Sequence, residues 1–287
     1  MLDALHAVIC ELERDRSLEQ PERLRERILA LDRLDDLLLD APPDPLDATS
    51  TATQLHQRAQ ALQSRLAHVQ RKLCEAIRQA IIQGAGAQAL RGWTYPDDRA
   101  DPQGYDHLDA LVSDVLSFDE PTGTIAALDA EMVFYQPTPA RHVFDLIERA
   151  AIVDQDVLVD LGSGLGHVPL LVSICTGAHC IGIEREAAYV DGAKQSAQAL
   201  QLDRVNFVAQ DAREADFSRG TVFYLYTPFT GGILREVLDR LKHEASRRAI
   251  RIATLGPCTA TVDGEPWLQR VGPLEANRVT LFQPLAG

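Results

Sequence analysis

Apolar residues recur through the first 90 positions at steps of three, four and seven, the spacing of one helix face. Leu2, Leu5, Val8, Ile9 and Leu12 predict a helix over residues 2–14. Ser17 stands where a cap would open a second helix carrying Leu24, Ile28, Leu31, Leu34 and Leu38. The run Ala41-Pro42-Pro43-Asp44-Pro45 breaks that helix. From Thr51 a long helix carries Leu55, Leu62, Leu66, Val69, Leu73, Ile77 and Ile81, and Gly84-Ala85-Gly86 ends it. Its apolar seam must be covered by another helix. Residues 1–90 are therefore predicted to form an all-α hairpin or small bundle, suited to a structural role or to a homodimer built through these helices.

The pattern then changes. Residues 91–104 are rich in Pro, Gly and Asp and read as linker, and Leu108, Leu111, Val112 and Val115 mark a helix face over 105–116. Thr138 and Pro139 read as a cap and first-turn pair for a helix beginning near Ala140. Beyond it, short branched apolar runs alternate with helical ones. Strands are predicted at 157–160, 180–183, 205–209, 221–225 and 249–255, and the tail around Trp267-Leu268 and 278–282 supplies two more. Helices are expected over 168–174 and 233–241. This alternation predicts an α/β sheet with mostly parallel strands.

Chemistry gathers at the strand ends. Asp160 closes the first strand, and Gly162, Gly164 and Gly166 follow with Ser163 between them. Alternate glycines let main chain approach a ligand where a Cβ would collide. The first amides of the next helix favour a carboxylate or phosphate. Glu184 ends the second strand, about 20 residues past the loop, where an acid can accept hydrogen bonds from both hydroxyls of a ribose. Asp211 and Ala212 follow the third strand, and Tyr226-Thr227-Pro228-Phe229 follows the fourth. A dinucleotide fold would place its third glycine differently, in the spacing G-x-G-x-x-G. An NAD-dependent oxidoreductase is thus an alternative that the D-x-G-x-G-x-G spacing counts against.

This ordered set resembles the class I (Rossmann-like, seven-strand) S-adenosylmethionine-dependent methyltransferases, over about 150 residues from Tyr135 onward. The resemblance implies S-adenosylmethionine as cofactor. It assigns cofactor contacts to Asp160, Gly162, Ser163, Gly164, Gly166, Glu184, Asp211 (toward the adenine amino group) and Ala212. It adds Tyr135 and Thr138, from the segment that folds over the methionine end. The loop, its preceding helix over 141–150 and the Gly182-Ile183-Glu184 ending are also similar to the non-SET protein lysine methyltransferases. Tyr226-Thr227-Pro228-Phe229 falls where amino-group methyltransferases have Asn/Asp-Pro-Pro-Tyr/Phe. Here the second proline and the aromatic are kept, so Pro228 and Phe229 are candidate substrate contacts and Tyr226 the candidate catalytic residue. Tyr and Thr in the first two places count against amide or nucleobase acceptors.

Charge sharpens the acceptor question. The net charge of −14 divides into −3 over residues 1–100 and −11 over the rest. Residues 101–140 contain no Lys or Arg but carry Asp101, Asp106, Asp109, Asp114, Asp119, Glu120, Asp129 and Glu131. Such a segment is either a solvated helix face that touches no substrate or an acidic cover that repels nucleic-acid phosphates and attracts a cation. The expected acceptor is therefore an amine, on a protein lysine or a small molecule. A small-molecule O- or N-methyltransferase and a binding-only scaffold with the same fold are the alternatives. Cys10, Cys74, Cys175, Cys180 and Cys258 are scattered without metal-ligand spacing, so no metal site is expected and a reducing cytoplasm is. No run is long and apolar enough for a membrane span. The expected division is 1–90 helical, 91–134 linker and acidic lead-in, and 135–287 methyltransferase domain.

Overall fold

A computed structural model describes residues 2–40, 42, 50–93, 104–118, 130–275 and 277–285. The linker expected over 91–104 falls mostly outside the described residues, as do Asp101, Asp119, Glu120 and Asp129. The chain divides into two compact units, residues 1–77 and 78–287.

In the first unit, α1 (Leu2–Arg14), α2 (Leu24–Asp40) and the leading part of α3 (Thr51–Ile82) bury Leu5, Ile9, Leu34, Leu62 and Leu66 together. Ser17 does not cap α2. Two short 3-10 turns, Arg16–Glu19 and Pro21–Arg23, come first. Asp15 caps the first turn, accepting from the Ser17 amide at 2.9 Å and the Ser17 hydroxyl at 2.6 Å. The carboxylate two residues earlier is a pure acceptor, so Ser17 becomes the donor. The buried Arg27 closes the turns by donating to the carbonyls of Leu18 and Gln20.

The second unit is built on a seven-stranded sheet in the order β3-β2-β1-β4-β5-β7-β6. The strands are β1 (Val157–Leu161), β2 (His179–Glu184), β3 (Val205–Ala209), β4 (Val222–Leu225), β5 (Arg251–Thr254), β6 (Leu268–Val271) and β7 (Thr280–Pro284). The first five pair in parallel, and β7 runs antiparallel between β5 and β6. β1 and β4 are central, and Val222, Phe223, Tyr224 and Leu225 are all buried. Strands covered on both faces read as continuous apolar runs, which is why they were legible. The helices are α4 (Gly86–Arg91), α5 (His107–Leu116), α6 (Ala140–Arg149), α7 (His167–Thr176), α8 (Ala187–Ala199), α9 (Gly231–Ala245) and α10 (Cys258–Asp263). No helix among the described residues is long and apolar enough to cross a membrane. The chain reverses direction across the sheet between β1 and β4, opening a crevice beyond the strands' carboxyl ends.

Helix capping explains most of the described acids of the lead-in. Asp106 and Asp109 form a reciprocal capping box on α5. The other oxygen of Asp109 accepts from the Ala140 amide at 2.7 Å, so one carboxylate caps α5 and α6 together. Glu131 accepts from the amides of Gly232 and Ile233, each at 3.0 Å, and caps α9. Three of the four described acids of the segment thus serve helix ends. Thr138 is likewise not a cap. Pro139 occupies the cap position of α6, and the Thr138 hydroxyl lies 3.3 Å from that of Tyr224.

Candidate active site

A cavity of about 830 Å³ opens at the carboxyl ends of β1, β2, β3 and β4. Gly162 and Ser163 of the glycine turn line it. Gly162, Gly164 and Gly166 all take positive φ (83°, 51° and 85°). The Gly162 and Ser163 amides donate to the Ile183 carbonyl at 2.8 and 3.1 Å, tying the turn to β2.

What the glycines make room for differs from the expectation. A Cβ on Gly164 would lie 1.9 Å from the Tyr135 ring, and one on Gly162 would lie 2.3 Å from Pro228 Cβ. The neighbours that forbid side chains here are the protein's own. Tyr135 comes from the strap 130–138, which crosses the strand ends before α6. The strap is anchored by the Val133 amide on the Pro228 carbonyl (3.2 Å), by a Met132–Phe229 bridge and by the Tyr105 hydroxyl on the Pro137 carbonyl (2.8 Å).

Carboxylates stand at three successive strand tips. Asp160 is only 4% exposed, and burial, with Glu184 adding repulsion, pushes its pKa well up from the usual carboxylate range. Glu184 accepts from the Gly164 amide through one oxygen and from the Glu186 amide through the other, both at 2.9 Å. It thereby joins the tip of β2 to the glycine turn. Asp211 accepts from the Arg213 amide, Nε and Nη2 at 2.8, 3.0 and 2.8 Å, and this pairing holds its pKa low. A carboxylate offers about four acceptor positions, so three bonds leave one for a further donor. Ala212 lines the cavity beside it.

The fourth tip carries Tyr226-Thr227-Pro228-Phe229. Thr227 adopts φ +42°, rare for a β-branched residue, and its hydroxyl donates to the Leu255 carbonyl (3.0 Å) and accepts from the Cys258 amide (3.1 Å). Strain of this kind persists where surrounding bonds over-determine it. It turns Tyr226 and Pro228 toward the cavity they line. Burial raises the Tyr226 pKa, which keeps its hydroxyl neutral. Phe229 is 3% exposed and packs into the core beside Met132 and Ile233. That burial makes it a wall of the fold rather than an open stacking platform.

Several cavity residues escaped the sequence reading, among them Arg185, Glu186, Tyr189, Gln210 and His167. His167 opens α7, and burial brings its pKa down to about 4. Its Nδ1 lies 3.4 Å from the Tyr135 hydroxyl, and its ring centroid is 4.4 Å from that of Phe118. In sequence it is merely the residue after Gly166, and only the folded strap reveals its partner.

These residues suit S-adenosylmethionine. The Ser163 hydroxyl is buried at the cavity wall with no hydrogen-bond partner, and Asp160 is a buried acid facing a cavity within the usual range for small ligands, about 300–1,000 Å³. A cation with donor groups answers both. The antiparallel β7 also departs from the dinucleotide-binding strand order, against the oxidoreductase alternative.

Fold and site together define the class of the second unit: a Rossmann-like, seven-strand α/β sheet whose strand-end cavity suits S-adenosylmethionine. Residues 132–224 match the family model described as "Histone methylation protein DOT1". Over 116 residues the chain is 27% identical to the sterol 24-C-methyltransferase of Kluyveromyces lactis, covering 38% of this chain and 31% of that protein. The chain thus spans about a third of the length of the curated relative it matches. An RNA methyltransferase from Salinibacter ruber, solved with S-adenosyl-L-homocysteine, overlays on 52% of this chain and 92% of its own, at 26% identity and TM-score 0.43. A mutant of MtNAS, solved with S-adenosylmethionine, overlays on 99% of this chain and 97% of its own, at 15% identity and TM-score 0.42.

Proposed function

We propose that this chain transfers a methyl group from S-adenosylmethionine to an amine, on a protein lysine or a small molecule. The observation that carries the proposal is the carboxylate row at successive strand tips, Asp160, Glu184 and Asp211, around one cavity. Glu184 would hold the ribose hydroxyls, Asp211 the adenine amino group, and Asp160 with Ser163 the cofactor's amino-acid end beside the glycine turn. When bound, the cofactor supplies an activated methyl on a sulfonium, which needs only an in-line nucleophile. The protein's task is then alignment and exclusion of water. Tyr226 would contact the incoming amine with its neutral hydroxyl, and the ring faces of Tyr135 and Tyr226 suit a cation.

An acidic cavity favours a cationic acceptor. Asp160, Glu184, Glu186 and Asp211 line it against the single cation Arg185. The volume of the cavity and the sterol-methylating relative favour the small-molecule form of the reading.

The test is incubation with cofactor labelled in the methyl group, against a panel of lysine peptides, small amines and cell extract. Mass spectrometry then follows both products. Label in an amine, with S-adenosylhomocysteine released one for one, is expected. The sulfonium bears two other carbons open to attack. Release of methylthioadenosine, with the acceptor gaining the amino-acid arm instead, would overturn methyl transfer while keeping the cofactor site.

A further inference from the structure

His167 is a partly buried titratable group of the cavity that the proposed chemistry leaves unused. Three observations bear on its role. It is the first residue of α7, so its backbone belongs to the helix end that faces the glycine turn. Its ring lies against Phe118 on one side, which restrains its orientation. Its Nδ1 reaches the Tyr135 hydroxyl, in the middle of a strap that is otherwise attached near its two ends, through Glu131 and the bonds at Pro228, Pro137 and Thr138.

Residues 132–138 of the strap all line the cavity, and Tyr135 is the one whose ring lies against the turn. Its ring lies over Gly164, whose amide is held by Glu184, and its centroid is 4.9 Å from that of Tyr189. The ring therefore forms the wall above the turn and also packs toward α8. A tyrosine in that place keeps two rotatable side-chain bonds unless its hydroxyl is fixed, and His167 is a side-chain partner within reach, beside the backbone of Leu165. A neutral imidazole has one acceptor nitrogen. With Nδ1 accepting, the ring proton sits on Nε2.

We propose that His167 is a positioning residue for cofactor binding: its Nδ1 accepts the Tyr135 hydroxyl proton and locks the strap's aromatic wall over the glycine turn. This rests on the cofactor reading above. The polar pair then links strap to α7, so that the cavity wall is preorganised before a ligand enters.

The experiment is a double-mutant cycle on S-adenosylhomocysteine affinity, measured by calorimetry on the full chain, with melting temperature recorded for every variant. Tyr135→Phe and His167→Phe each remove one partner of a neutral hydrogen bond. Each should weaken binding by about three- to tenfold, the scale for losing such a bond. The pair Tyr135→Phe/His167→Phe should bind no worse than the weaker single variant, because one interaction cannot be lost twice. His167→Asn keeps an acceptor, Oδ1, at the same distance along the side chain as Nδ1 and should restore most of the affinity. Losses that multiply in the double variant would overturn the inference. So would His167→Asn binding as poorly as His167→Phe, a comparison that stands even if one of the other variants melts early. Wild-type protein without affinity for S-adenosylhomocysteine would overturn the cofactor reading itself, an outcome distinct from additive losses in a protein that binds.

Discussion

Asp160 shows what the site costs the fold. Its carboxyl is buried at the end of β1 with Glu184 nearby, and its pKa is raised. A group protonated more readily in the folded than in the unfolded chain contributes its stability at low pH and loses it as pH rises toward the folded pKa. Asp160→Asn removes that penalty. The variant should melt above wild type at pH 7–8, and the gap should close as the pH falls toward 4, where the unfolded chain also protonates. The same variant should bind S-adenosylmethionine more weakly, since the buried charge is what a sulfonium or ammonium would neutralise. Thermal melts across pH, with and without cofactor, check both halves. A variant no more stable at pH 8 than at pH 4, relative to wild type, would mean the acid is already compensated within the protein. At this scale the sequence was informative about which residues gather and less so about why. The spacing of Asp160, Gly162, Gly164 and Glu184 follows from strand ends and a tight turn, both local. That Gly164 faces a tyrosine 29 positions away is a fact of the folded strap.

Elements follow the same division between local and remote causes. Buried parallel strands announce themselves because both faces are apolar. α8 does not, since its sequence Ala187–Ala199 is mostly alanine and polar residues with Val190 its lone branched apolar side chain. The caps divide likewise. The Asp106–Asp109 box on α5 is a three-residue spacing, whereas the bonds from Asp109 to Ala140 and from Glu131 to Gly232 span 31 and 101 positions. Composition therefore leaves the acid-rich segment open between a cover and a solvated face, and does not reveal that its described acids mainly serve helix ends. Two consequences can be measured at Asp109. Asp109→Ala strips a cap from α5 and from α6 and should lower stability by about 0.5–2 kcal/mol for each. Asp109→Asn keeps one acceptor where the carboxylate used two and should fall between wild type and alanine. Denaturant unfolding of the three proteins gives the order. If asparagine matched wild type, only one of the two caps would carry weight. If alanine did, neither would.

Across the whole molecule the charge of −14 acts at longer range than any one cap. Residues 101–287 hold −11 of it, and the cavity itself is lined by four acids and one arginine. Such a field raises the encounter rate of cations and lowers that of anions. It does so only while the ionic atmosphere is thin: the screening length is about 30 Å at 0.01 M salt and about 8 Å at 0.15 M. For a cationic amine acceptor, kcat/KM should therefore fall several-fold, roughly, as salt rises across that range, while kcat stays level because the bound complex is beyond the reach of screening. An uncharged acceptor should show a flat profile. A nucleic-acid acceptor should show the reverse, a rate that improves as salt masks repulsion between phosphates and the acidic surface, until counterion effects on its own binding take over. Asp114→Lys supplies the control, because it reverses an exposed charge of the lead-in without removing a helix cap. Its salt profile should nearly overlay that of wild type if the field arises from the whole surface. A profile flattened by that one substitution would return the steering role to the lead-in segment.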